Sequence, residues 1–234
     1  MNITHAPALS DNYMYLITDN KTKECAVVDP AEPDAADHAG GNENLVKQAK
    51  KELGLKDIPI YGGEKVQALT HMVKDNEEIP LGQLKITCLS TPCHTAGHIC
   101  YLVDDGNKKA VFTGDTLFIS GCGKFFEGTA EQMYSSLQKL AKLDPQTEVY
   151  CGHEYTLQNF KFAVTVEENN SGLQDRMKQM QSKKVTIPST IGDELRYNPF
   201  MRTNQEDVQK YTGTKNEIEC LAILREKKNN FKST

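Results

Sequence analysis

The sequence predicts an α/β fold, with strands through the first two thirds of the chain and helices through the last. Three observations predict it. Short β-branched and aromatic runs recur between turn signals from Tyr13 to Cys151. Capping words followed by apolar residues at helical spacing interrupt that series and then replace it. The strand signal fades after about Tyr155, which divides the chain into an α/β domain over 1–155 and a small helical domain over 156–234.

Taken in order, Tyr13 to Thr18 and Cys25 to Val28 are β-type runs around Asp19-Asn20, a hairpin turn. Asn44 to Leu53 reads as a helix stopped by Gly54. Strands follow at Leu84 to Leu89, Ile99 to Val103 and Ala110 to Phe112, with Asp104-Asp105-Gly106-Asn107 as the turn between the last two. Thr129-Ala130-Glu131-Gln132 is a capping box ahead of Met133, Leu137, Leu140 and Ala141, which share one helical face. Thr147 to Cys151 is another strand. Leu157, Phe160 and Val164 then mark a helix. Ser171-x-x-Gln174 caps the next, whose Met177 and Met180 are core residues. Thr214-x-x-Glu217 caps the last, with Ile218, Leu221 and Ala222 on one face.

Composition narrows the function. Of 234 residues, 25% are charged and 38% hydrophobic, which is ordinary for a globular protein. A net charge of -5 argues against a general nucleic-acid binder, since nothing balances phosphate charge. No apolar run approaches the roughly 20 residues that span a bilayer. Met1 to His5 has neither a basic nor an apolar leader region, so the expected compartment is the cytoplasm. The seven cysteines are odd in number, irregularly spaced and never C-x-x-C, so they read as structural thiols and not as disulfides or a thiolate zinc site.

Chemistry concentrates in four short words at strand ends. They are Asp37-His38-Ala39-Gly40-Gly41, His94-Thr95-Ala96-Gly97-His98, Thr113-Gly114-Asp115-Thr116 and Gly152-His153-Glu154. Imidazole and carboxylate suit zinc, iron or manganese. Small neighbours let the backbone turn sharply, so that side chains from several loops can converge. A single His beside Gly is more often structural than a ligand. The ordered set of Asp-His, His, Asp and His on strand-end loops is specific.

With these words in place the chain resembles the glyoxalase II (hydroxyacylglutathione hydrolase) family of the metallo-β-lactamase superfamily. Pro7-Ala8-Leu9-Ser10-Asp11-Asn12-Tyr13 is similar to its opening strand. Thr91 to His98, Phe112 to Phe118, Gly121 to Gly128 and Tyr150 to Tyr155 are similar to its loops. Asn198-Pro199-Phe200-Met201-Arg202 and Leu224-Arg225-x-x-Lys228-x-x-Phe231 are particular to glyoxalase II. A lactamase or nuclease of the same superfamily has no reason to carry them.

The resemblance implies an αββα sandwich with a helical C-terminal domain that binds glutathione. It implies a binuclear zinc centre, with iron or manganese as substitutes. Asp37, His38 and His153 would hold the second metal, His94 the first, and Asp115 would bridge them. Asp37 and Asp115 would be the catalytic carboxylates. His98 would be a turn or supporting residue. Lys124, Tyr155, Arg225 and Lys228 would hold the glutathione part of a thioester such as S-D-lactoylglutathione. Read without the resemblance, Arg225 and Lys228 are a solvated basic helix end. Phe126 stands where many relatives have Tyr, so that hydroxyl is missing. The expected chain is a monomer acting on a small-molecule thioester, with no nucleic-acid or membrane partner.

The sequence departs from the family in one block. Only the tail of a T-H-x-H-x-D-H motif survives, as Asp37-His38, and Pro33 and Ala35 hold the two earlier histidine positions. About twenty residues are missing before it, enough for one helix and one strand. The first metal would keep only His94 and Asp115, fewer than the usual three or four ligands, so one metal per chain is expected. His5 and His71 are the unassigned histidines, and neither is expected to substitute. Two readings follow: a thioester hydrolase with impaired activity, or a catalytically inactive glutathione-thioester-binding isoform produced by an internal deletion.

Overall fold

The computed structural model describes residues 1–30 and 41–232. In chain order these residues form β1 (Asn2–Ala8), β2 (Asn12–Thr18), β3 (Cys25–Val28), α1 (Asn42–Leu53), β4 (Tyr61–Gly62), β5 (His71–Met72), β6 (Glu78–Leu81), β7 (Leu84–Ser90), β8 (Ile99–Asp104), β9 (Lys109–Gly114), β10 (Leu117–Phe118), β11 (Gly121–Cys122) and α2 (Ala130–Ala141). There follow β12 (Glu148–Cys151), α3 (Thr156–Val166), α4 (Ser171–Met180), β13 (Ser189–Thr190), α5 (Ile191–Tyr197), a 3-10 turn (Pro199–Met201), α6 (Glu206–Thr212) and α7 (Glu217–Asn230).

Two sheets stack face to face. One has the order β1-β2-β3 and the other β13-β12-β9-β8-β7-β6. Side chains alternate across a strand, and on β2 this sends Tyr13, Tyr15 and Ile17 inward. They pack against Ile86, Cys88, Val103, Phe112 and Tyr150 of the larger sheet. The other face of that sheet, with Val111 and Val149, packs on Leu137 and Leu140 of α2 and on Leu221 and Leu224 of α7. Sheet, sheet and helices thus form three of the four layers of an αββα sandwich.

The remaining helical layer is thin among the described residues. α1 buries none of its residues, and its Leu53 is 72% exposed. Leu16 and Val27 face each other across the β2–β3 ladder, yet they stay 40% and 42% exposed. Among the described residues β3 pairs with β2 alone. Among the described residues this leaves an apolar surface on the outer face of the β1-β2-β3 sheet uncovered.

Two predicted caps shift. Asn170, not Ser171, caps α4 by accepting from the Leu173 N–H at 3.0 Å. Asn216, not Thr214, caps α7 by accepting from Ile218 and Glu219. In both cases the amide sits next to the first helical turn, and Thr214 spends its hydroxyl on Glu219 at 2.6 Å. The Thr129 capping box forms as expected. Met180 is buried, as are all the cysteines except Cys25, and every cysteine is free. No described helix is long and apolar enough to cross a membrane.

Candidate metal centre and substrate cleft

Asp115 follows β9, and His153 follows β12. These two strands are parallel neighbours, and Gly152 N–H donates to the Gly114 carbonyl at 2.9 Å. Residues distant in sequence therefore emerge side by side. Gly114 sits at φ 45°, and a Cβ there would come within 2.8 Å of His98 Nε2. A side chain here would be strained and would push against His98, so glycine suits this turn. His94 arrives from the loop after β7.

Both imidazoles are aimed by their other nitrogen. His94 Nδ1 lies 3.1 Å from the Lys124 carbonyl. His153 Nδ1 lies 2.8 Å from Asp11 Oδ1. A carbonyl or carboxylate oxygen only accepts, so each Nδ1 carries a proton and each Nε2 is the ring nitrogen left to face Asp115. Those Nε2 atoms stand 3.3 and 3.4 Å from the same oxygen, Asp115 Oδ2. Three electron-rich atoms this close need positive charge among them, from protons on the rings or from a metal cation. The donor set is of the kind that holds zinc, iron or manganese.

Among the described residues, no group of three or more His, Cys, Asp or Glu closes tightly enough to hold an ion by itself. Asp37 and His38 lie outside the described residues, as do Pro33 and Ala35. His98 has the supporting place that the resemblance implies, with Nδ1 2.9 Å from Thr91 Oγ1 and 3.1 Å from Thr116 Oγ1. It ties the His94 loop to the Asp115 loop. His71 is exposed on β5, 2.7 Å from Thr70 Oγ1, and His5 is exposed on β1.

The three donors face a cleft of about 390 Å³ lined also by Ser10, Asp11, Phe126 and Tyr155. Tyr155 stacks flat on His153, with centroids 4.6 Å apart and planes 5° apart. Burial, with help from Asp11 and Asp115, pushes its phenol up to about 12, so it stays a hydrogen-bond donor at neutral pH. Phe126 is 67% exposed, with its ring 4.9 Å from that of His94. The exposed Lys124 ammonium lies 5.8 Å from the Phe126 ring.

The solvated reading of Arg225 and Lys228 does not hold, because both side chains turn inward. Arg225 is 8% exposed and donates from Nη1 to the Cys122 carbonyl at 2.8 Å. Lys228 donates to the Gln158 carbonyl at 2.8 Å and lies 5.5 Å from the Phe162 ring. Burial first, and then the Arg225 charge, lower its pKa to about 8.

The Gly121 to Phe126 loop joins the two halves of the site. A Cβ on Gly123 would fall 1.8 Å from the Asp115 carbonyl oxygen, so the loop lies flush on the Asp115 turn. Behind it, buried Asn198 donates to the Phe118 and Gly121 carbonyls at 3.2 and 2.9 Å. Buried Glu194 accepts from Ser120 N–H at 2.8 Å, and Arg202 grips Glu167 with two nitrogens. Asn198, the first residue of the Asn-Pro-Phe-Met-Arg word, thus anchors the start of this loop. Asp11 and Glu194 were not read from the sequence. Asp11 lies in the Ser10-Asp11-Asn12 turn, and nothing local marks a contact 142 residues away.

Comparison with known proteins gives the family and the fold. Residues 154–231 match the family model described as hydroxyacylglutathione hydrolase C-terminus, and residues 84–153 match that of the metallo-beta-lactamase superfamily. The chain is 46% identical over 263 aligned positions to a hydroxyacylglutathione hydrolase, named cytoplasmic, of Arabidopsis thaliana, covering 99% of this chain and all of the relative. It is 42% identical to a hydroxyacylglutathione hydrolase-like protein of Gallus gallus, covering 99% and 91%. The crystal structure of ETHE1 from Myxococcus xanthus shares the fold, with a TM-score of 0.60 at 22% identity over 96% of this chain and 90% of that one. The 263 aligned positions of the first relative exceed the 234 residues present, so at least 29 of them are gaps in this chain.

Proposed function

Because the chain belongs to the hydroxyacylglutathione hydrolase family of the metallo-β-lactamase superfamily, we propose how its own residues carry out thioester hydrolysis. It is a thioester hydrolase of the glyoxalase II type, and its superfamily implies a divalent metal. The substrate is S-D-lactoylglutathione or a similar 2-hydroxyacyl-glutathione, giving glutathione and a 2-hydroxy acid. The relatives are named as hydrolases, which favours an active enzyme over an inactive binding isoform.

One observation supports the site most directly: two Nε2 atoms from different loops converge on Asp115 Oδ2. His94, Asp115 and His153 would hold the metal, with Asp37 and His38 completing the set. Zinc is the preferred ion, and one per chain is the expected load. A bound divalent cation supplies Lewis-acid activation of water and of the thioester carbonyl. The chain does the rest. His94 Nδ1 and His153 Nδ1 keep their protons on Lys124 and Asp11, which leaves Nε2 as the donor atom.

Residues 156–234 act as the glutathione-binding domain. Lys124, Tyr155, Arg225 and Lys228 place the substrate, and Lys228 exchanges its Gln158 carbonyl for a substrate carboxylate. That orientation keeps the sulfur and acyl carbon in the cleft beside Asp115. The chain is proposed to act as a monomer in the cytoplasm.

The test is hydrolysis of S-D-lactoylglutathione by the purified chain after loading with zinc, iron or manganese. Turnover should disappear with a chelator and fall at least a hundredfold in His153→Ala, in line with the loss of a group essential to the site. A folded, metal-loaded chain without turnover would overturn the catalytic assignment and leave a binding protein.

A further inference from the structure

We infer that Asp11 is the positioning residue of the metal centre: it fixes the ring of His153 and thereby the zinc affinity of a site that is short of histidines. The inference rests on the metal-site reading above.

Four features of the structure converge on this pair. Asp11 Oδ1 takes the Nδ1 proton of His153 at 2.8 Å. Glu154 N–H donates to the Asp11 carbonyl at 2.8 Å, and Tyr13 N–H donates to the Gly152 carbonyl at 2.9 Å. Asn12 and His153 form an antiparallel bridge. The side chain and the backbone of the β1–β2 turn are therefore registered together on the His153 loop. Tyr155 covers one face of the ring, and Phe118 meets it edge-on at 6.0 Å.

A histidine ligand normally gives its second N–H to a carboxylate or carbonyl, which sets the tautomer and makes the donor nitrogen more basic. The two proposed ligand histidines, His94 and His153, are not equal in this respect. His94 gives its proton to a neutral carbonyl, that of Lys124. His153 gives it to a carboxylate, and a hydrogen bond to an ionised partner is about twice as strong. The better-held ligand is thus His153, and its holder comes from the β1–β2 turn. That turn lies before the shortened block, so the block's loss leaves it intact.

The experiment is a zinc titration of the intact chain against a fluorescent competing chelator, run on wild type, Asp11→Ala, Asp11→Asn and His153→Ala. Thermal unfolding of each metal-free protein is measured alongside. Asp11→Ala should weaken zinc binding about 10- to 100-fold with no matching fall in the metal-free melting temperature. Asp11→Asn keeps an oxygen acceptor and should recover part of the loss. Asp11→Ala in the His153→Ala background should add nothing further.

Zinc affinity unchanged in Asp11→Ala but lost in His153→Ala would overturn the role of Asp11 and leave the metal site standing. Unchanged affinity in His153→Ala would overturn the site itself, and this inference with it. A loss in Asp11→Ala that merely tracks a drop in melting temperature would reduce Asp11 to a structural turn residue.

Discussion

Arg225 on α7 donates from a buried guanidinium to the carbonyl of Cys122, 103 residues away, at 2.8 Å. Cys122 opens the loop whose Lys124 carbonyl orients His94. The helix that carries the proposed glutathione-binding residues is thus also a strut of the loop beside the proposed metal site. Removing the guanidinium leaves a buried carbonyl without its donor, at a cost of about 1–3 kcal/mol. Arg225→Met should therefore lower stability to urea by that amount and reduce kcat as well as raise KM. Arg225→Lys should rescue little, because a single ammonium cannot replace the planar fork that also reaches Asn229. A variant with raised KM, unchanged kcat and unchanged stability would show that Arg225 only binds substrate.

The proposed substrate role of Lys228 sets a pH limit on binding. Its pKa is lowered to about 8, so the side chain is cationic at pH 7 and mostly neutral at pH 9. A carboxylate ligand is attracted only by the cation. KM for the thioester should rise as pH passes through 8, by about tenfold if one charge-assisted hydrogen bond is lost. Lys228→Arg should flatten the profile, since guanidinium stays charged throughout. Initial rates from pH 6.5 to 9.5 on both proteins decide it.

The fold was legible where the sequence punctuates itself. Asp19 begins a tight turn and accepts from Lys21 N–H at 2.9 Å, and β2 and β3 run where the residues on either side predict. β1 was not legible. Asn2, Thr4, His5 and Pro7 give it no apolar alternation, and it exists because β2 pairs with it along its whole length. Among the candidate site residues, His94, Asp115 and His153 announced themselves by their glycine-flanked words. Their partners did not, because Asp11 and Lys124 act through distances that only the folded chain sets. The inward turn of Arg225 was hidden for the same reason: a basic residue near a helix end is usually solvated, and only the loop packed against α7 makes it otherwise.

Glu194 should make stability depend on pH in an uncommon direction. Burial raises its pKa from 4.5 to about 7, against the pull of Ser189, Ser120 and Asn198. Between those two values the folded chain holds a proton that the unfolded chain releases. Stability therefore falls as pH rises from 4.5 to 7, by about 3 kcal/mol at most. Glu194→Gln, which is neutral throughout, should lose this slope. Urea midpoints at pH 5.0, 6.0 and 7.5 measure it, and an unchanged slope in the variant would assign the titration to another group.

Phe126→Tyr should tighten substrate binding. The ring is largely exposed beside His94 and Lys124 at the rim of the cleft, so a hydroxyl is accommodated without repacking. One added neutral hydrogen bond contributes about 1 kcal/mol, or roughly a fivefold fall in KM. kcat should not move, because a hydroxyl at this rim would touch the bound substrate and its transition state equally. A change in kcat alone would place Phe126 closer to the reacting atoms than its position suggests.

The last prediction concerns the missing block. The family motif has two histidines where this chain has Pro33 and Ala35, and neither side chain can bind a metal. What remains for a first metal is His94 with Asp115, below the three protein ligands of typical zinc sites. Elemental analysis of the purified chain should therefore give close to one divalent ion per chain. Writing histidines at 33 and 35 alone should raise it less than restoring the whole block, because a ligand also needs the surrounding chain to hold its geometry. Restoring the whole block from a relative should raise the metal content towards two and increase kcat/KM with it. It should also bury the exposed Leu16 and Val27 and raise the melting temperature. Two tightly held ions in the unmodified chain would sink the argument, since some other residue would then be supplying the missing ligands.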